Sequence, residues 1–272
     1  MNKVQLSNIL RKLGLLLPAD YISYHFRKFN NRKANRKFKL NNPSVLLPPD
    51  YLIYESFQIN YQKFYSESID SAIWLKTQIG RHIELSNIRI LDWGCGPGRI
   101  VRHLPKLINV KCQFFGTDYN IRSIEWCKKN LPDINFTNNT LEANLPYPDG
   151  YFDVIYGISV FTHLSERLHF EWYSELSRVL KNGGIMLVTT HGENFKIKLT
   201  KKEKSVFNEN KLVERGNTKE GHRTFSSFQP KGFMMRLFKD SEIVEHVEPK
   251  PKKNRALPQD IWVIRKKNNT VA

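Results

Sequence analysis

The sequence predicts an α/β fold, a mostly parallel sheet with helices on both faces, and three observations carry that prediction. Residues 88–103 read I-R-I-L-D-W-G-C-G-P-G-R-I-V-R-H: apolar β-formers, an acid at Asp92, glycines at 94, 96 and 98, then Ile100, Val101 and Leu104 at helical spacing. That is a strand, a glycine loop and a helix. A second apolar run, Cys112 to Thr117, closes on another acid, Asp118, 24 residues beyond Gly94. Two more runs, 152–157 and 185–190, flank a helical pattern over 166–180 in which Leu168, Trp172, Leu176 and Val179 share a face.

The 272 residues, 40% of them hydrophobic, suffice for one α/β core with additions. Cys95, Cys112 and Cys127 are an odd number with no C-x-x-C pair, which argues against a disulfide framework or a structural zinc site and for a reducing, cytoplasmic setting. No apolar run reaches the roughly 20 residues of a membrane span, and Leu13 to Leu17 is too short for a signal peptide, so the mature chain is expected to be the whole chain.

Charge divides the chain. Lys and Arg against Asp and Glu count 10 minus 1 over residues 1–40, 14 minus 16 over 41–193 and 19 minus 9 over 194–272. Within residues 21–39 the basic side chains alternate with Tyr24, Phe26, Phe29 and Phe38, a pattern suited to phosphate or to an anionic membrane face. A solvated helix or a loose tail is the plainer alternative. Residues 1–50, with Pro43, Pro48 and Pro49 near their end, are expected to be a basic arm and linker before a domain spanning 51–272. From Tyr51 to about Ile83 the apolar spacing predicts one or two helices, and their aromatic residues are read as packing rather than as a substrate cage.

Glycines at alternate positions suit backbone that takes positive φ or lies against a ligand, and the helix beyond them offers unpaired N–H groups. The spacing differs from the G-x-G-x-x-G dinucleotide fingerprint, and an acid at the strand end disfavours phosphate while suiting a ligand with an ammonium group. This loop resembles the first motif of the class I S-adenosylmethionine-dependent methyltransferases. The likeness extends to Leu145-Pro146-Tyr147-Pro148-Asp149-Gly150 with Phe152, Asp153 and Val154, and to the run S-E-L-S-R-V-L-K-N-G-G-I-M-L-V-T-T-H-G that ends at Gly192.

The resemblance implies a Rossmann-like seven-stranded sheet, mostly parallel with an antiparallel last strand, and S-adenosyl-L-methionine as cofactor. Asp92, Gly94, Cys95, Gly96 and Gly98 would wrap its methionine half. Asp118 would accept hydrogen bonds from the ribose hydroxyls, with capping of the next helix as its structural alternative, and Tyr119 would pack on adenine. Leu141 stands about where the family has an acid for the adenine amine, so Glu142 or the Leu141 backbone would substitute. Residues 193–228, inserted at the carboxyl edge of the sheet, are expected to form a lid or substrate-binding insertion, with a disordered excursion as the alternative. Gln229-Pro230-Lys231 opens a last helix, and 242–247 with 261–265 form the terminal hairpin. A fainter likeness, in S-V-F-T-H-L, T-T-H-G and Q-D-I-W-V-I-R-K, links the chain to methyltransferases of bacterial surface-glycan assembly.

Methyl transfer from a sulfonium is an in-line displacement, so an enzyme supplies chiefly proximity and shielding. A hydroxyl acceptor also needs a base. Ser159 to His163 follow the fourth strand, whose carboxyl end should border the methyl group, and His191 follows the fifth. Ser159 is therefore expected at the cofactor. His163 and His191 are the candidate bases, with a rate rising through a pKa near 6 to 7, and a loop-ordering role is the alternative for each. No carboxylate and histidine cluster at metal spacing is visible, and no metal is expected. The expected reaction is O-methylation of a small-molecule or glycan hydroxyl, in the cytoplasm or at the inner membrane face. RNA methylation by way of the basic arms is the alternative, although G-I-S-V stands where amine-methylating enzymes have N-P-P-Y. A non-catalytic partner subunit is the third reading, against which the intact loop and both acids count.

Overall fold

The computed structural model describes residues 3–108, 111–253 and 255–268. Nine strands occur among them: β1 (Arg89–Trp93), β2 (Gln113–Asp118), β3 (Asn135–Asn138), β4 (Phe152–Gly157), β5 (Leu180–Thr190), β6 (Val213–Arg215), β7 (Ser226–Phe228), β8 (Ser241–Val247) and β9 (Asp260–Lys266). Seven form one sheet in the order β3-β2-β1-β4-β5-β9-β8, and β6 with β7 forms a separate ribbon. The β2–β3, β1–β4 and β4–β5 pairs are parallel, while β9 runs antiparallel to both β5 and β8. This is the mostly parallel, Rossmann-like sheet with an antiparallel last strand that the sequence predicts. The helices are α1 (Lys3–Lys12), α2 (Leu16–Asn41), α3 (Asp50–Ser56), α4 (Tyr61–Gly80), α5 (Leu104–Leu107), α6 (Ile121–Asn130), α7 (Glu166–Val179), α8 (Lys201–Asn208) and α9 (Lys231–Leu237).

The chain divides into two compact units, residues 1–87 with 94–139 and residues 88–93 with 140–272. In the first, most of the expected arm is the 26-residue helix α2, which buries Tyr24, Asn35 and Phe38. Asn35 secures it: Oδ1 accepts the Tyr61 N–H at 2.9 Å and Nδ2 donates to the Ile59 carbonyl at 3.3 Å. Phe38, Ile53, Tyr61 and Phe64 form a core against which Val45 and Leu47 of the proline-rich segment also pack. Asn60 caps α4, and Asn120 caps α6 by accepting the N–H groups of Arg122 and Ser123. The helix expected after the glycine loop is reduced to a 3₁₀ turn, Val101–His103, and the single turn α5.

In the second unit, Ser165 caps α7 and the expected face of Leu168, Trp172, Leu176 and Val179 is buried. The L-P-Y-P-D-G segment is held by one guanidinium. Arg178 donates to the carbonyls of Leu145 and Tyr147 and to the carboxylates of Asp149 and Glu175. Asp153 accepts the Arg89 N–H at 2.8 Å and pairs with Lys181. The acids of that motif are thus structural. Residues 193–228 contain a 3₁₀ turn, α8 with a Thr200/Glu203 capping box, and the β6–β7 ribbon, around a core of Phe195, Leu199, Phe207, Val213 and Phe228. Elements of three to eight residues are too short to leave a readable periodicity.

Candidate active site

In the first unit the glycine loop is held through its backbone N–H groups. Gly94, Gly96 and Gly98 have φ of +74°, +52° and +70°, a region costly for residues with a Cβ. Gly94 and Cys95 both donate their N–H to the Thr117 carbonyl at the end of β2, at 2.8 and 2.9 Å. The next N–H, of Gly96, donates to Asp118 Oδ2 at 2.8 Å, and the Asn120 N–H donates to Oδ1 at 2.7 Å. Burial raises the Asp118 pKa, and these two N–H groups offset part of that rise. Each carboxylate oxygen has further lone-pair capacity, as a ribose diol requires.

The glycines differ in what confines them. A Cβ on Gly96 would lie 3.2 Å from the Ser56 Cβ, whereas one on Gly98 would lie 2.7 Å from Leu131 Cδ1 and 3.3 Å from Cys127 Sγ. Gly98 is therefore fixed by packing on α6 and the turn after it, and Gly96 by helix α3. Cys95 is buried, its thiol directed at the Gly96 carbonyl at 3.3 Å. Tyr119 is partly buried, and burial with the nearby Glu55 carboxylate raises its phenol pKa. Glu55 also accepts from Asn120 Nδ2 at 2.6 Å. Glu55 and Ser56, at the end of α3, are contributors that sequence reasoning missed, since nothing local distinguishes them from other helix-end residues.

In the second unit Asp92, one residue before the end of β1, lies opposite Tyr156 and is buried. Ser159, just past β4, has φ +65° and sits in a closed ring of polar groups. Its N–H donates to Thr189 Oγ1 at 2.8 Å, Thr189 donates to Gln259 Oε1 at 2.6 Å, and Gln259 Nε2 donates back to Ser159 Oγ at 2.7 Å. Thr162 Oγ1 donates to the Ser159 carbonyl at 2.6 Å, so the 2.9 Å contact between the two hydroxyls carries the Ser159 proton. Ser159 is a node that fixes the strand end, with its hydroxyl proton already committed. Leu141 accepts the Trp172 indole N–H on its carbonyl at 3.0 Å, and Glu142 is exposed with its N–H on Thr140 Oγ1.

Two histidines share one geometry. His163 Nδ1 lies 2.8 Å from the Phe225 carbonyl and His191 Nδ1 lies 3.0 Å from the Ser227 carbonyl, two residues further along the same segment. A carbonyl only accepts, so both Nδ1 atoms carry the proton and both Nε2 atoms carry the lone pair. Burial lowers the pKa of His163; burial first, then neighbouring His163, takes His191 to about 3. His191 stacks on Phe195 at 4.1 Å, and its backbone N–H donates to Gln229 Oε1 at 2.9 Å. These are neutral imidazoles throughout the physiological range, and the inflection expected near pH 6 to 7 is displaced downward. His169, fully buried between Ser165 and Gln229, has both ring nitrogens engaged. Among the described residues, His246, Glu248 and Asp260 bring ligand-type atoms within 4.8 Å of one another, a cluster invisible in a chain where they span 15 positions. His246 Nε2 and Asp260 Oδ2 are 3.2 Å apart, and the ring stacks on Trp262.

The family described as "Methyltransferase domain" matches residues 90–184, the stretch from β1 through α7 into β5. A phthiotriol/phenolphthiotriol dimycocerosates methyltransferase of Mycobacterium ulcerans is 34% identical over 40% of this chain and 39% of its own length. A ubiquinone/menaquinone biosynthesis C-methyltransferase of Bordetella parapertussis is 30% identical over 43% and 45%. The crystal structure of a SAM-dependent methyltransferase from Methanosarcina mazei superposes with a TM-score of 0.54 at 18% identity, covering 70% of this chain and 97% of that one, and shows the same fold. Residues 90–184 are thus a methyltransferase domain, and S-adenosyl-L-methionine is the cofactor that its relatives and its fold imply. The match spans less than half the length of either curated relative.

Proposed function

We propose that this protein transfers a methyl group from S-adenosyl-L-methionine to an acceptor that gives up a proton, a sugar or glycan hydroxyl in the first instance. The carrying observation is the pair of neutral imidazoles, His163 and His191, each anchored through Nδ1 with Nε2 left as the basic atom. A bound sulfonium supplies an electrophilic methyl and a neutral thioether leaving group. Asp118, fixed by two backbone N–H groups, holds the ribose hydroxyls, while Gly94 and Gly96 keep side chains out of the loop. The histidine Nε2 accepts the hydroxyl proton as oxygen attacks, and a buried neutral imidazole does so without first losing a proton of its own.

A second reading follows from the relatives, one named for dimycocerosates and another for C-methylation in quinone biosynthesis. A carbon acceptor loses its proton after the methyl arrives, and the same imidazoles would serve it. Mass spectrometry of products from isotopically labelled cofactor, offered sugar hydroxyls, quinols and RNA in turn, tests these readings. Label on a sugar oxygen supports the first, label on carbon replaces it with the second, and label on RNA alone overturns both.

A further inference from the structure

Helix α2 has two faces of different chemistry. One packs inward through Tyr24, Asn35 and Phe38. On the other, Ile22, Phe26 and Phe29 are 70%, 67% and 59% exposed and recur at intervals of four and three, one stripe of the helix, which continues through Lys33 and Arg36 to the exposed Leu40. The chain leading into α2 adds Leu13, Leu15 and Leu17, also exposed. Scattered exposed apolar residues are ordinary, but large ones in file along one stripe are not.

The charge around this stripe has a single sign. Arg27, Arg32, Lys33, Arg36 and Lys37 are all exposed, and no Asp or Glu occurs between Asp20 and Asp50. Lys28 alone has an acidic partner among the described residues of α2, in Asp50. The Arg32 guanidinium lies 4.1 Å from the Phe29 ring centroid, so cation and aromatic are presented together. Basic side chains flanking exposed aromatic and aliphatic ones on one helix face match the acyl boundary and headgroup layer of an anionic bilayer. An RNA would use the charges but leave Ile22 and Leu40 in water, and a second copy of α2 would oppose like charges. Among the described residues no helix is long and apolar enough to cross a membrane, so a contact through this face would be a superficial one.

We propose that the outward face of α2, with Ile22, Phe26 and Phe29 inserted and Arg32, Lys33, Arg36 and Lys37 on the headgroups, docks the protein on anionic membrane. This goes beyond the methyl-transfer reading and stands or falls without it. The test is flotation of the full chain with vesicles of phosphatidylcholine alone or mixed with phosphatidylglycerol, at low and high salt. Wild type should float with the anionic vesicles at low salt and be released by high salt. A Phe26→Glu/Phe29→Glu double variant and a Lys33→Glu/Lys37→Glu double variant, both with unchanged thermal melts, should each recover about tenfold less protein. Equal recovery on neutral and anionic vesicles, or undiminished flotation of both variants, would overturn the proposal. So would RNA binding without flotation, or a dimer that Phe26→Glu/Phe29→Glu dissociates without flotation.

Discussion

The glycine loop and the histidine pair are built in opposite ways. The loop is made of adjacent backbone groups: the N–H groups of Gly94, Cys95, Gly96 and Asn120 converge on Thr117 and Asp118, and one side chain, the Asp118 carboxylate, accepts two of them. The pair is made of side chains oriented by distant backbone, His163 by a carbonyl 62 residues away and His191 by one 36 away. A cradle of amides tolerates side-chain change except where a Cβ intrudes. A base anchored by one hydrogen bond fails when that imidazole is lost, yet the surrounding fold need not.

The largest expected effect breaks the pair. His163→Ala or His191→Ala should lower kcat by about 10²- to 10⁴-fold and leave cofactor affinity unchanged, because a base acts in the transition state. Single-turnover kinetics beside titration calorimetry separate the two quantities. If one variant keeps its rate, the other histidine is the base; if both do, the acceptor needs no protein base and the hydroxyl reading fails. The reciprocal break is Asp118→Ala, which should weaken cofactor binding by about 2–4 kcal/mol through two lost charge-assisted hydrogen bonds. Calorimetry showing wild-type affinity in a folded variant would remove the ribose assignment.

A third test separates binding from packing within the loop. Gly98→Ala places a Cβ 2.7 Å from Leu131 Cδ1 at φ +70°, and should cost stability by about 1–3 kcal/mol. Gly96→Ala also carries a positive-φ cost, at +52°, but its Cβ meets only Ser56, at 3.2 Å from Cβ, so it should lose less stability than Gly98→Ala and more cofactor affinity. Denaturant titration and calorimetry on both variants read the contrast, and equal stability losses would erase it.

The different constructions explain what could be read in the amino-acid order. Gly94 to Asp118 is one strand-loop-helix-strand step, so the acids, the glycines and their spacing lie within 27 consecutive residues from Asp92. The helix after the loop is shorter than its pattern predicts, because apolar residues at helical spacing do not reveal that α5 ends after one turn. His163 and His191 were placed by their positions after strands, but their carbonyl anchors at 225 and 227 lie in a segment without periodicity. The Ser159 ring depends on Gln259, a hundred residues on, and Glu55 reaches Asn120 from a helix read as packing. Pairings set by strand order carry no local signal. The proline-rich stretch 41–50 reads as a linker, although Val45 and Leu47 join a core, for the same reason.

The smallest expected effect, per unit of pH, sharpens the comparison through proton binding. His169 is held at about 4 and His191 at about 3, both chiefly by burial and both in the second unit, while in the first unit burial holds His103 at about 4. The ordinary value is 6.5, so between that pH and about 4 the unfolded chain binds protons that the folded chain refuses. Stability therefore rises with pH in this window and is lost as pH falls through it, by about 1.4 kcal/mol per pH unit for the fully buried His169 and by up to that much for the partly buried His191. Asp118 works the other way, since a raised carboxyl pKa favours the folded state as pH falls. One carboxyl faces several imidazoles, and the net slope should be positive. Denaturant unfolding from pH 7 to 4.5 should show it, and His191→Gln, which keeps a polar group without a titrating one, should reduce the slope by about one proton equivalent. A slope unchanged in His191→Gln would mean that His191 is protonated in the folded protein, and the anchoring of a neutral Nε2 base would have to be abandoned.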